Sequence, residues 1–216
     1  MKRGEARGKR FVVGISGASG VSLAVRFLQM AAPLREIETI HLVVTNNALR
    51  VAATELTPPA STPAGIVAAA VPPEDQAKIV HHPDADIAAI IASGSYVTDG
   101  MVIVPCSAGM LASIAAGISR GLVQRAADLT LKQRRPLLLA LRETPYNLIH
   151  AENIVRATQA GAIVVPPIPA FYAGESWSDY LDHFAMRLLD LLGIEIDRSD
   201  LRWNGVHGAR AARGEE

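Results

Sequence analysis

Five stretches of this 216-residue chain set chemistry-bearing side chains beside glycine or proline, just past apolar runs. The first is Gly14-Ile15-Ser16-Gly17-Ala18-Ser19-Gly20. Glycines at that density let a backbone approach a ligand closely and adopt positive φ. A helical pattern follows, so the N–H groups of its first turn face whatever sits in the turn, an arrangement that attracts anions. The spacing is not G-x-G-x-x-G, and Thr45 and Asn46 stand where a ribose-binding Asp or Glu would follow the second strand. The combination argues against NAD and for a mononucleotide phosphate. The alternative is a turn needed only for tight strand–helix packing.

The second stretch, Val104-Pro105-Cys106-Ser107-Ala108-Gly109-Met110, also joins a strand to a helix, with Ser and Gly available for phosphate or ring contacts. Cys106 has no base beside it in sequence, so a buried structural thiol competes with a nucleophile. In the third, Arg125, Asp128 and Lys132 fall at helical spacing and share a face, followed by Arg134 and Arg135. Such a face binds a second phosphate or is simply solvated. The fourth, Leu141-Arg142-Glu143-Thr144-Pro145, ends a buried run. Its Arg–Glu pair is either a local salt bridge or an anion binder beside an acid/base, and Thr144 and Pro145 can cap and begin the next helix. The fifth, Pro166 to Tyr172, holds Phe171 and Tyr172 in a proline-stiffened turn, which also suits a purely structural loop. The histidines form no zinc-like set, so no metal is expected. Absence of a P-loop and of a G-x-S-x-G elbow removes ordinary NTPases and α/β-hydrolases.

These loops need a scaffold that brings them to one edge. Apolar runs at 10–16, 41–45, 101–104, 136–141 and 162–165 read as buried strands, with a short further strand at 78–81. Helical periodicity covers 21–32, 46–55, 111–118, 122–133, 147–159 and 178–192, the last capped by Ser176 or Ser178. The segment from Leu56 to Pro73, with five prolines, reads as a loop with one helical turn around Ile66. Alternating strands and helices predict a three-layer α/β/α, doubly wound parallel sheet of the flavodoxin-like or Rossmann-like kind. In such sheets ligands bind beyond the carboxyl ends of the strands.

Composition sets the outer bounds. The chain is 50% hydrophobic, which suits one domain with a full core; residues 11–203 form that domain, with 1–10 and 208–216 as flexible tails. Lys plus Arg number 21 and Asp plus Glu 21, so there is no electrostatic footprint for nucleic acid. A single Cys excludes an intrachain disulfide and fits a reducing compartment, the cytoplasm. No apolar run approaches the ~20 residues of a membrane span, and the basic start has no signal-peptide core.

Taken in order, the stretches resemble the UbiX family of flavin prenyltransferases, a family also named after phenolic acid decarboxylase. The matching segments are GISGASG at 14–20, ASGSYVTDGMVIVPCS at 92–107, RAADLTLKQRRPLLLALRETP at 125–145, IHAEN at 149–153 and GAIVVPPIPAFY at 161–172. The likeness covers nearly the whole chain from Phe11 to Gly193. The resemblance implies a dodecamer with active sites where subunits meet. It implies metal-independent transfer of a dimethylallyl group from dimethylallyl phosphate to reduced FMN, at N5 and then C6. The product, prenylated FMN, would serve a UbiD-type decarboxylase.

Matched residue by residue, the resemblance assigns Gly17, Ala18, Ser19, Thr45, Ser107, Ala108, Gly109, Met110 and Arg142 to FMN. It assigns Arg125, Lys132, Tyr172 and Arg187 to dimethylallyl phosphate, and Trp203 to the prenyl group. Ser19, Glu55, Glu143 and Lys132 form the implied catalytic set. Some members carry Met-Lys-Thr where this chain has Ala108, Gly109 and Met110, which removes two side-chain contacts and leaves backbone ones. Two other readings share the fold: an FMN-dependent decarboxylase of the cysteine-peptide or phosphopantothenoylcysteine type, and a non-catalytic flavin carrier.

Overall fold

Strand residues alternate between two apolar faces, and that alternation produces the three layers. Phe11, Val13 and Ile15 join Ile40, Leu42, Val44, Val102, Val104, Leu138 and Ala140 on one face. Val12, Val43, Met101, Ile103, Leu137, Leu139 and Leu141 point to the other. With both faces covered, the central strands are rich in Val, Ile and Leu, as buried parallel strands usually are.

The computed structural model describes residues 7–203 and Gly205. Of the expected tails, residues 1–6 and 208–216 lie outside the described residues. The strands are β1 Lys9–Ile15, β2 Ile37–Val44, β3 Ile79–Pro83, β4 Gly100–Cys106, β5 Leu137–Leu141 and β6 Ile163–Val164. The helices are α1 Val21–Ala31, α2 Asn46–Glu55, α3 Pro63–Ala70, α4 Ala108–Ala115, α5 Leu122–Lys132, α6 Leu148–Gln159 and α7 Trp177–Leu191. The sheet runs β3-β2-β1-β4-β5-β6, every pair parallel. The first face carries α1, α2, α3 and α7; the second carries α4, α5 and one edge of α6. Strand order reverses between β1 and β4, so the loops leaving these two strands part and open a crevice.

Several boundaries differ from the sequence reading. Strand β1 opens one residue earlier than expected, at Lys9, which pairs with Ile37 as Arg10 pairs with Thr39. The proline-rich segment contains a full helix, α3. Thr62 caps it through the Gly65 N–H, and Pro63 takes the first turn, where no amide donor is needed. Ile66 and Ala70, four apart, bury the same face. Pro105 does not end β4: the strand continues to Cys106 across a register shift, the position at which a sheet tolerates proline. Helix α4 begins at Ala108, three residues early, because Ser107 caps it through Met110. Helix α6 is capped by Asn147, whose side chain accepts the His150 N–H at 2.8 Å, and not by Thr144.

Two buried polar groups tie neighbouring elements together. Asp182 of α7, only 5% exposed, accepts from Arg26 of α1 and from Arg198. His41 of β2 is 4% exposed, with Nδ1 3.0 Å from His82 Nε2 and Nε2 2.9 Å from the Tyr96 hydroxyl. Burial, then His82, then Arg10 push the His41 pKa down to about 4. Because the folded value lies below the unfolded one, the unfolded chain takes up a proton that the folded chain refuses. The His41 contribution is therefore complete above the unfolded pKa and is lost as pH falls below it. Between pH 8 and pH 5 this loss is about 2 kcal/mol, given the drop from 6.5 to about 4. Denaturant unfolding at the two pH values should show the loss in the native chain and a smaller one in His41→Gln.

Candidate active site

Ser16 stitches the two loops of the crevice. Its hydroxyl donates to the Pro105 carbonyl at 2.9 Å and accepts the Ser107 N–H at 2.8 Å, while its own N–H reaches the Pro105 carbonyl at 3.2 Å. The β1 and β4 loops are thus held in one register. Gly17 follows, and a Cβ there would lie 2.5 Å from Asn47 Cβ, so the β1 loop passes against the start of α2 only because it has no side chain.

A polar cavity of about 390 Å³ opens between these loops, lined by Ser16, Gly17, Thr45, Asn46, Asn47, Asp84, Ser107, Gly109, Met110 and Gln124. Three helix starts meet on it. Thr45 caps α2 through the Ala48 N–H at 3.2 Å, and Ser107 caps α4 through the Met110 N–H at 3.2 Å. At the start of α5, Asp84 accepts the Val123 N–H at 3.0 Å and Gln124 accepts the Gly121 N–H at 2.9 Å. The N–H groups of Ala108 and Gly109 in the first turn of α4 have no intrahelical acceptor. A Cβ on Gly109 would meet nothing within 4 Å, so the backbone there stands bare. Neutral donors and helix starts without a cation suit the hydroxyls, amides and phosphate of a mononucleotide.

A second cavity, of about 420 Å³, is lined by Ser19, Gly20, Ser22, Leu23, Glu55, Arg142, Pro167, Pro169, Trp177 and Tyr180. Both volumes lie within the range of about 300–1,000 Å³ usual for small-molecule sites. Here the structure corrects the sequence reading of α1. Its N-terminus does not wait for an outside anion, because Glu55 Oε2 accepts the Gly20 N–H at 2.8 Å and the Val21 N–H at 3.1 Å. Burial opposes ionisation of Glu55. The Ser19 hydroxyl, the two N–H groups and the Arg142 guanidinium outweigh it and hold the carboxyl below its ordinary range.

Arg142 also lines a third recess with Glu143, Thr144, Tyr146 and Pro166 to Ile168. Of the two roles left open for the Arg142–Glu143 pair, a mutual salt bridge is not formed among the described residues; Arg142 acts on Glu55, and Glu143 accepts the Thr144 N–H at 3.1 Å. Cys106 is fully buried with its thiol pushed up to about 12 by desolvation, which is the structural role and not that of a nucleophile.

The expected residues fall into three groups. Gly17, Thr45, Ser107, Gly109 and Met110 share the first cavity; Ser19, Glu55 and Arg142 share the second, with Glu143 in the recess beyond. Ala18 lies in the β1 loop, and Ala108 opens α4 beside Ser107. Tyr172 and Trp203 pair at 5.3 Å between ring centroids, and Arg187 stands on α7, paired with Asp190 at 2.9 Å. Arg125 and Lys132 line none of these cavities. Arg125 pairs with Asp128 at 3.1 Å, and Lys132 is the last residue of α5, about 10 Å further along its axis toward the opposite edge of the sheet. Sequence reading passed over Ser16, Asn46, Asn47, Asp84, Gln124 and Tyr180. Asn46 and Asn47 were findable as polar residues directly after β2. Asp84 needed β3 to be recognised to its end.

Two variants measure the site without any ligand. Glu55→Ala leaves the α1 start uncapped and should lower unfolding free energy by about 1 kcal/mol. Since the folded Glu55 pKa is depressed, that difference is present above the ordinary carboxylate range and disappears as pH falls through the folded value. Gly17→Ala forces the loop off Asn47 and should cost about 1–3 kcal/mol. Urea titrations read both.

The flavoprotein family model matches residues 1–187. The flavin prenyltransferase UbiX of Escherichia coli (strain K12) is 42% identical over 202 residues, covering 92% of this chain and 100% of that protein. AnUbiX (PadA1), solved in complex with FMN and dimethylallyl pyrophosphate, superposes with a TM-score of 0.81 at 38% identity, covering 92% of this chain and 99% of that one. A dodecameric FMN-dependent UbiX-like decarboxylase from Escherichia coli O157:H7 gives a TM-score of 0.80 at 38% identity, over 91% and 100% of the two chains. With such likeness running over more than nine-tenths of the chain, this protein belongs to the flavoprotein family and, within it, to the UbiX flavin prenyltransferases.

Proposed function

We propose that this chain transfers a dimethylallyl group from dimethylallyl phosphate to reduced FMN, making prenylated FMN. The observation that carries the reading is the pair of cavities lined by successive residues of one glycine turn, Ser16 and Gly17 in one and Ser19 and Gly20 in the other. One is polar, floored by bare backbone and helix starts. The other holds Ser19, Glu55 and Arg142 beneath Trp177 and Tyr180. The reduced flavin supplies the nucleophilic N5. The allylic C–O bond breaks with its electron pair leaving on phosphate, and a C–N bond forms as N5 gives up its proton. For closure, a proton adds to the alkene and makes its tertiary carbon electrophilic, C6 attacks that carbon, and the C6 proton is lost.

Gly17, Ala18, Thr45 and the Ser107–Met110 turn hold the flavin nucleotide. Backbone N–H groups replace the side chains that Ala108 and Gly109 lack. Glu55, fixed as an anion, orients Ser19 toward the ring, and Arg142 lies at its edge. Cations aimed at the leaving phosphate stabilise the charge that develops there, the role of Arg125, Lys132 and Arg187. The Tyr172 phenol donates to the same phosphate, and Trp203 walls the prenyl group, because an allylic cation needs an aromatic, water-poor surface. Glu143 takes the proton lost on ring closure. Lys132 and Arg125 stand away from the cavities of their own chain, so a neighbouring copy brings them in, within a homododecamer. No helix among the described residues is long and apolar enough to cross a membrane. The protein works in the cytoplasm and passes its product to a UbiD-type decarboxylase.

The test is anaerobic incubation with reduced FMN and dimethylallyl phosphate, followed by mass spectrometry of the released flavin. The expected result is a gain of one prenyl unit, reduced at least a hundredfold in rate by Lys132→Ala or Glu143→Gln. FMN that binds and is released unmodified overturns the reading in favour of a flavin carrier. Carbon dioxide released from a cysteine peptide would point to the decarboxylase.

A further inference from the structure

His183 of α7 is absent from every role assigned so far. It is 8% exposed and lies one helical turn before Arg187, so both side chains leave the same face. Its ring meets Tyr172 edge to face, with centroids 5.7 Å apart and planes at 88°, and its Nε2 lies 3.4 Å from the Tyr172 hydroxyl. Trp203 contacts Tyr172 at 5.3 Å. Tyr172 itself belongs to no helix or strand: it sits in the turn between β6 and α7. Its ring is therefore located by these two neighbours and not by regular backbone.

We infer that His183 is a positioning residue that holds the Tyr172 phenol in place for the phosphate of the allylic donor. The inference rests on the donor-binding role proposed for Tyr172 and Arg187. Burial, reinforced by Arg187 and Arg202 and opposed by Asp190, keeps the imidazole neutral at neutral pH. A neutral ring that donates Nε2–H to the phenol oxygen leaves the phenol proton free to point at an anion. Arg187 is braced in parallel. Asp190 accepts from it at 2.9 Å and is itself held by Arg202 at 2.8 and 2.9 Å. One helix face thus presents two phosphate donors, the guanidinium directly and the phenol by way of His183.

The experiment uses the full chain in steady-state prenyl transfer. His183→Phe keeps the ring volume and removes the hydrogen bond; it should raise KM for dimethylallyl phosphate about tenfold, with KM for reduced FMN unchanged. His183→Gln, which keeps a side-chain N–H, should recover most of that loss. In a Tyr172→Phe background, His183→Phe should add nothing, since the pair acts as a unit. An unchanged donor KM in His183→Phe, failure of Gln to rescue, or an equal penalty in both backgrounds overturns the inference and leaves His183 a packed core residue. An unmodified chain that makes no prenylated flavin removes the underlying reading as well, and that is read before any variant.

Discussion

The hydroxyl of Ser16 decides the geometry of the site. A parallel sheet whose order reverses between β1 and β4 sends two successive loops apart, and nothing in the sheet ladder fixes the gap between them. Ser16 bridges it with three hydrogen bonds, one accepted and two donated, all to the Pro105–Ser107 backbone. At 1% exposure these bonds have no water to compete with. The register shift beside Pro105 places the Pro105 carbonyl and the Ser107 N–H on either side of that hydroxyl.

Around this bridge the chain uses its own polar groups to finish its helices. Thr45, Ser107, Asp84 and Glu55 each satisfy amide donors at the start of a helix that ends near the crevice. The same residues line the cavities, so a position that stabilises the fold also shapes the site. Substitution there acts on both at once, and stability measurements are needed to separate the two effects.

Most of the scaffold was legible in the sequence because buried parallel strands are the easiest pattern to see. HLVV at 41–44 and MVIV at 101–104 admit few other readings. What was hidden depended on tertiary partners. Helix α3 is stabilised by burying Ile66 and Ala70, which a proline-rich composition disguises. Residues of the glycine turn before α1 line both cavities, but the turn is not an open anion seat, because Glu55, thirty-five residues away from Gly20, fills it. No periodicity reports a carboxylate arriving from another element. Likewise His183 looks like any residue of an amphipathic helix until the turn holding Tyr172 folds back against it.

The Glu55 carboxylate has a bearing on which nucleotides this crevice admits. Many α/β nucleotide sites leave the first helix start open as a seat for a diphosphate. Here that seat is occupied by a tethered anion, kept charged by Ser19, Gly20, Val21 and Arg142. A phosphoryl group brought to the same point would meet like charge at close range and would have to displace a covalently attached competitor. The start of α1 is therefore closed to a phosphoryl group by the chain's own carboxylate, whereas the first-turn N–H groups of α4 at Ala108 and Gly109 have no such occupant among the described residues.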